Sequence, residues 1–352
     1  MLKKNKQKNY LRKWIKSLLG AFFILIIIRT FFFQFYVVTH NKMENSLRPG
    51  DYLLVNKIDF GPRLPITFFA LPINENFIPF LNIKSYFSIF ELPYLRIKTG
   101  KIERNDILVF NYPNMSDISI DLKPQEISRC IALPGDTLEI KDKEVIINHK
   151  HTNSTYPLFH YRITTDGTYF SQHFMDSIGV KGKLISDIGI YKFYISPATA
   201  QTLKKLKYIR YVQKISDFWH YNSILCFPEN SKTIGWNKDY FGPIVIPKKG
   251  QTVKLTLKNI DIYRKIIENY EKNTLKIDTS GYIYINNRLT SFYTFKQNYY
   301  FVMDDNRDMA KDSRYWGFLP ESHIIGKASI IWLSINKDIH SIRLNRIFKT
   351  CR

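Results

Sequence analysis

HNKMENSLRPGDYLLVNK, residues 40 to 57, reads as a short exposed turn followed by a strand. Pro49 and Gly50 supply turn chemistry, and the run from Asp51 to Lys57 carries the apolar and β-branched content of a strand. A lysine, Lys42, stands at the entrance to that turn. Its meaning depends on what lies on either side.

Upstream, residues 1 to 16 hold Lys3, Lys4, Lys6, Lys8, Arg12, Lys13 and Lys16 and no acid, and SLLGAFFILIIIRTFFFQFYVV follows at 17 to 38. The apolar run from Leu18 to Val38 is broken only by Arg29, Thr30 and Gln34, so it covers the roughly 20 residues that cross a bilayer. Arg29 is placed to snorkel toward headgroups, and the aromatics from Phe31 to Tyr36 suit an interface. A cleavable signal peptide is the competing reading, ranked second because the exit sequence QFYVVTHNK offers no small-x-small site. The positive-inside rule then puts residues 1 to 16 in the cytoplasm and everything after about residue 38 on the far side, with the lipid bilayer as a partner.

Downstream, short apolar runs are punctuated by Gly, Pro, Asn and Asp. DYLLVNKI, DILVFNY, TLEIKDKEVIINHK, IYKFYI, TVKLTL, YIYINNR, NYYFVMD and GKASIIWLSI all read as strands, with hairpin turns at KDKEV and NNR. Only 198 to 209 and 259 to 272 show helical periodicity, capped at Ser196 and Asn259. The expectation is a mainly β, antiparallel ectodomain. Residues 64 to 98 are apolar, aromatic and Pro-rich, consistent with a membrane-resting loop or with a cover over a sheet edge. Residues 150 to 232 read as an inserted lobe with weak signals.

The 352 residues carry 52 Lys+Arg against 30 Asp+Glu, a net charge of +22. That excess is spread over strands and loops alike, and no nucleic-acid-binding pattern accompanies it, so no nucleic acid partner is expected. Cys130, Cys226 and Cys351 cannot build a disulfide framework, and His151 and His160 read as surface residues rather than metal ligands.

Five stretches occur in order: MENSLRPGDYLLVNKIDFGPRLP from Met43, KIERNDILVFNYP at 101 to 113, SRCIALPGDTLEIKDKEVIIN at 128 to 148, WNKDYFGPIVIPKKGQTVKL at 236 to 255 and MDDNRDMAKDSRYWGFLPESHIIGKA at 303 to 328. Together they resemble bacterial signal peptidase I, especially the longer type found in Bacteroidetes, over most of the chain. The resemblance implies an inner (plasma) membrane protein with a periplasmic ectodomain, organised as a cytoplasmic tail at 1–16, a transmembrane helix at 17–38, a catalytic-type β domain from 39–149 and 233–340, an inserted lobe at 150–232 and a tail at 341–352. It implies signal peptides of secretory preproteins as substrates, hydrolysed by a serine nucleophile and a neutral lysine base, with no metal and no cofactor. A buried lysine serves as a base because desolvation weakens its hold on the proton.

The same resemblance answers the question of Lys42. The family serine precedes the methionine of its first motif, where this chain has Lys42, and the family lysine precedes Arg-Cys, where this chain has Ser128. The hydroxyl that assists the oxyanion corresponds to His40, and the serine that supports the lysine to Ala310. Tyr36, Val38 and Ile127 fall on substrate-wall positions, while Gly50, Asp51, Arg129, Asp305, Asn306, Arg307, Asp312 and Arg314 keep the structural pattern. Two readings follow: a working inversion, with Ser128 attacking and Lys42 as base, or an impaired enzyme. Geometry favours impairment, because a nucleophile must stay aligned with its oxyanion donors and losing one donor alone costs roughly 10² to 10³ in rate. A membrane-bound signal-peptide-binding protein, or an accessory to an active signal peptidase paralogue, is the alternative role.

Overall fold

Leu2–Phe31 form one 30-residue helix, of which Arg12–Phe31 is long and apolar enough to cross a bilayer, with none of its residues buried among the described residues. The computed structural model describes residues 2–70, 86–115, 118–152, 156–178, 180–186, 189–219, 223–336 and 339–351. The helix stops earlier than the expected 38. Phe33–Val37 are a strand, β1, whose backbone pairs antiparallel with β2 (Asp51–Asn56), from Phe33 opposite Asn56 to Val37 opposite Tyr52. Hydrophobicity alone does not separate the two segments; the ladder from β2 does, and Gln34 turns inward to hydrogen-bond Gln125 at 2.8 Å. Lys57 closes the helix by donating to the Arg29 carbonyl at 2.8 Å.

The main sheet continues with β3 (Ile107–Asn111), β4 (Gln125–Ala132), β5 (Tyr299–Met303), β6 (Leu319–Pro320) and β7 (Ile324–Asn336), in spatial order β1-β2-β7-β3-β4-β5-β6. Every ladder between named strands is antiparallel, as the alternating pattern predicts. All five residues of β3 are buried because both faces of the sheet are covered. Ile107 and Val109 enter a cluster with Val38, Met43, Leu47, Leu53, Ile127 and Ile331, while Leu108 and Phe110 enter another with Cys130, Val302 and Trp316.

Thr137–Lys141 and Glu144–Ile147 form the expected hairpin, with Asp142 and Lys143 both at positive φ; Asn286 and Asn287 do the same in the second predicted turn. Ile260–Lys265 form the expected helix, which continues as a π-turn through Tyr270. The other predicted helix is shorter than its periodicity suggests. Pro197–Leu203 are helical, with Ser196 capping Thr199, but Ile209–Lys214 form a strand because the lobe's sheet supplies backbone partners at Phe159–Thr165. That lobe is a four-stranded antiparallel sheet with its own apolar cluster around Ile163, Phe193 and Leu203. In the apolar stretch 64 to 98, Thr67–Ala70 pair with Tyr86–Glu91, and residues 71–85 lie outside the described residues.

Candidate active site

β4 runs through the centre of the main sheet and alternates its side chains, so Glu126 and Ser128 share a face. Lys42 lies in the short 3₁₀ turn Asn41–Met43 after β1, within the turn that its sequence suggests. The turn is held by the Asn306 amide, which donates to the Lys42 carbonyl at 2.8 Å. Lys42 Nζ then reaches Glu126 Oε2 at 3.0 Å, with both side chains about a quarter exposed. Burial weakens the proton affinity of Lys42, but the charge and hydrogen bond of Glu126, joined by Asp304, outweigh it and set its pKa above the ordinary lysine value. Lys42 is an ammonium held in an ion pair.

Ser128 is held by a different carboxyl group. Its Oγ donates to Asp304 Oδ1 at 2.5 Å, and both residues are almost fully buried. Burial, followed by the charge of Asp312, pushes the Asp304 carboxyl up to about 8, while the Ser128 hydrogen bond and Lys42 pull it down. Glu126 and Asp304 are the two site residues that sequence reasoning missed. The second had a visible signal: MDDNR at 303 to 307 departs from the family's MGDNR by placing a carboxylate where glycine leaves room.

The remaining predicted positions lie in the strands and turns of the same β domain. Val38 and Ile127 are buried in one apolar cluster with Tyr36 packed against it, and burial with the charges of Glu126 and Asp304 raises the Tyr36 phenol above its ordinary range. His40 is exposed at the start of the turn, and Ala310 is buried and offers no hydroxyl. Arg129 meets Asp305 through two parallel bonds of 2.8 Å and takes the Ser46 hydroxyl at 2.6 Å, so Ser46 lies in a half-buried turn. Arg314 clamps Asp312 at 2.9 Å, and Asp312 in turn accepts the Asp304 amide at 3.1 Å. Asp51 receives Ser334 at 2.6 Å and Arg346 at 2.6 Å, and a side chain at Gly50, whose φ is +87°, would strike the Ile335 carbonyl. Asn306 anchors Lys42 through its backbone, and Arg307 is buried. His151 is exposed as expected, but His160 is buried, its ring against Tyr194. The lobe covers it, and that burial is what the sequence pattern does not reveal. Among the described residues no cluster of His, Cys, Asp and Glu is arranged to hold a metal ion.

The arrangement provides one paired cation and one buried hydroxyl bound to a carboxyl, beside a buried apolar cluster. The family model for signal peptidase, peptidase S26, matches residues 11–174 and 207–333, omitting the middle of the lobe. The chain is similar to Signal peptidase I of Buchnera aphidicola (Acyrthosiphon pisum), 28% identical over 98% of this chain and 84% of that protein. It is likewise similar to Signal peptidase I of Pseudomonas aeruginosa, 22% identical over 95% of this chain and 76% of that protein. Signal peptidase I of Aquifex aeolicus is 24% identical over 92% and 85% respectively.

Proposed function

The chain belongs to the signal peptidase family, peptidase S26, and we propose that it is a membrane-anchored member that engages signal peptides of secretory preproteins with its Ser/Lys chemistry strongly impaired. The observation that carries this reading is the Lys42–Glu126 ion pair of 3.0 Å at the position of the family nucleophile. An ammonium has no lone pair with which to attack a carbonyl or accept a proton, and Glu126 stabilises that form. Ser128 has the oxygen but not the access: it is 4% exposed and its hydrogen is directed at Asp304, away from any base of the family type. His40 and Ala310 leave the two supporting hydroxyls unfilled.

Substrate engagement is supported by what survives. Tyr36 is partly exposed and packs against the apolar cluster that holds Val38 and Ile127, and on this reading an extended signal-peptide end would lie against Tyr36 as an added strand, with Val38 and Ile127 backing it from the core. The basic residues 1 to 16 favour a cytoplasmic N-terminus, leaving the ectodomain on the periplasmic side of the inner membrane. In this role the protein would act alongside an active signal peptidase paralogue.

The test uses the full chain in dodecyl maltoside micelles and a secretory preprotein ending its signal in Ala-x-Ala. We expect no cleavage, no change on Ser128→Ala, and competition for binding by an Ala-x-Ala peptide but not by one with bulky residues at both places. Cleavage that Ser128→Ala abolishes would establish a working inverted dyad and overturn impairment. Equal binding of the two peptides would overturn substrate engagement.

A further inference from the structure

Between the main body and the inserted lobe lies a cavity of about 660 Å³ that plays no part in the site above. Its walls carry Arg104, Lys143, Lys204, Lys214 and Arg307 against a single acid, Glu144. Most of these cations have partners. Arg104 meets Asp136 at 2.6 Å, Lys214 meets Asp142 at 3.1 Å, and Lys143 is paired with Asp308 and with Asp239. Arg307 is different. It is 2% exposed, and among the described residues its Nε has no hydrogen-bond partner and its Nη1 reaches only the Met303 sulfur at 3.2 Å. Burial, then the charge of Arg314, lowers its pKa to about 10, which leaves it charged at neutral pH. The carboxylates that act on it, Asp312 and Asp305, are held by Arg314 and Arg129, so the buried guanidinium is only partly compensated, and an anion entering the cavity lowers that cost.

The rest of the lining says what kind of anion. Lys204 stands exposed at the cavity, able to meet the same ligand from the lobe side. Ile131 and Val145 from the body and Phe159 and Val212 from the lobe provide apolar surface too extensive for a bare ion. We propose that this cleft binds a phosphate-headed amphiphile, with the phosphate at Arg307 and Lys204 and the apolar portion along Phe159 and Val212. The planar fork of Arg307 matches phosphate oxygens, and a doubly charged head suits the excess of cations.

The experiment titrates dihexanoyl phosphatidic acid into the full chain in dodecyl maltoside micelles by isothermal calorimetry, with dihexanoyl phosphatidylcholine setting the background of micelle mixing. Inorganic phosphate and hexanoate are run in parallel. We expect saturable binding of the phosphatidic acid, weakened about tenfold in Arg307→Gln and severalfold in Lys204→Ala, as loss of charged hydrogen bonds predicts. The exposed Lys349→Ala should leave it unchanged. Competition by inorganic phosphate identifies the head as the shared determinant; a lipid much tighter than phosphate supports the amphiphile, whereas equal affinities would assign the site to free phosphate and overturn the apolar half of the proposal. Should Arg307→Gln fail to fold, Val212→Trp fills the cavity from the lobe strand and should abolish binding with the cations intact. Hexanoate binding as tightly as the phosphate probes, no saturable binding by either of them, or affinities unchanged in the folded variants would overturn the proposal.

Discussion

Lys42 and Ser128, which we propose to be the exchanged pair, are each held by a carboxyl group, Glu126 for one and Asp304 for the other. Reversing the exchange is therefore not enough. In Lys42→Ser/Ser128→Lys the new lysine would stand beside Asp304, whose carboxyl would favour the ammonium form and disable the base. The double variant is expected to show no cleavage above background, and adding Asp304→Gly, which restores the room the family pattern has there, should produce measurable hydrolysis of an Ala-x-Ala preprotein. The rate should stay at least about 10²-fold below that of a complete site, since His40 and Ala310 supply no supporting hydroxyl. Equal activity of the double and triple variants would remove Asp304 from this account. Asp304 also makes stability depend on pH. Its carboxyl titrates near 3.8 in the unfolded chain and near 8 in the folded one, raised by burial and then by Asp312. Between those values the folded state keeps a proton that the unfolded state has released, so stability falls as pH rises, by at most about 1.4 kcal/mol per pH unit. Melting temperatures measured from pH 5 to pH 9 should decline across this window, and Asp304→Asn should flatten the decline. A parallel decline in the variant would assign it to other groups.

At the scale of elements, the strands that frame the site are tied together by the Arg129–Asp305 pair, which joins β4 to the loop after β5 with no solvent exposure at either side chain. Arg129→Met leaves Asp305 charged and buried and should cost about 3–5 kcal/mol, read as a melting-temperature drop of several degrees; a loss under about 1 kcal/mol would mean that water replaces the guanidinium. These elements were legible to different degrees. Runs with a strand's alternation and a clear turn, such as Asp51–Asn56 and the hairpin through Asp142 and Lys143, are where the sequence places them, because period and turn chemistry agree. Phe33–Val37 read as membrane, and the helix read over 198 to 209 ends at Leu203 with a strand beginning at Ile209, since both strands are decided by a distant partner strand that local composition does not contain. The site divides the same way. The motifs single out Lys42 and Ser128 as candidates, yet Glu126 looks like an ordinary strand residue, and its contact depends on the turn that brings Lys42 to within 3.0 Å of it.

On the scale of the whole molecule, the helix and the sheet meet at one residue, Phe32, so the anchor and the folded body are separable in principle but share a boundary strand. β1 belongs to the body by its hydrogen bonds: it covers the edge of β2, sends Gln34 to Gln125, and leads Val38 into the cluster that supports the Lys42 turn. A chain starting at residue 32 loses the bilayer-length helix and keeps that strand. It should leave the membrane fraction on alkaline carbonate extraction, whereas the full chain stays, and its ectodomain should melt within a few degrees of the full chain. A chain starting at residue 39 loses the strand as well, which exposes the backbone of β2 along its length and opens the cluster at Val38. Unpaired edges and lost apolar burial both act in the same direction, so this second truncation should melt far lower and aggregate. Equal melting temperatures for the two truncations would show that β1 serves the anchor alone, and retention of the residue-32 chain after carbonate would place a second membrane contact in the ectodomain.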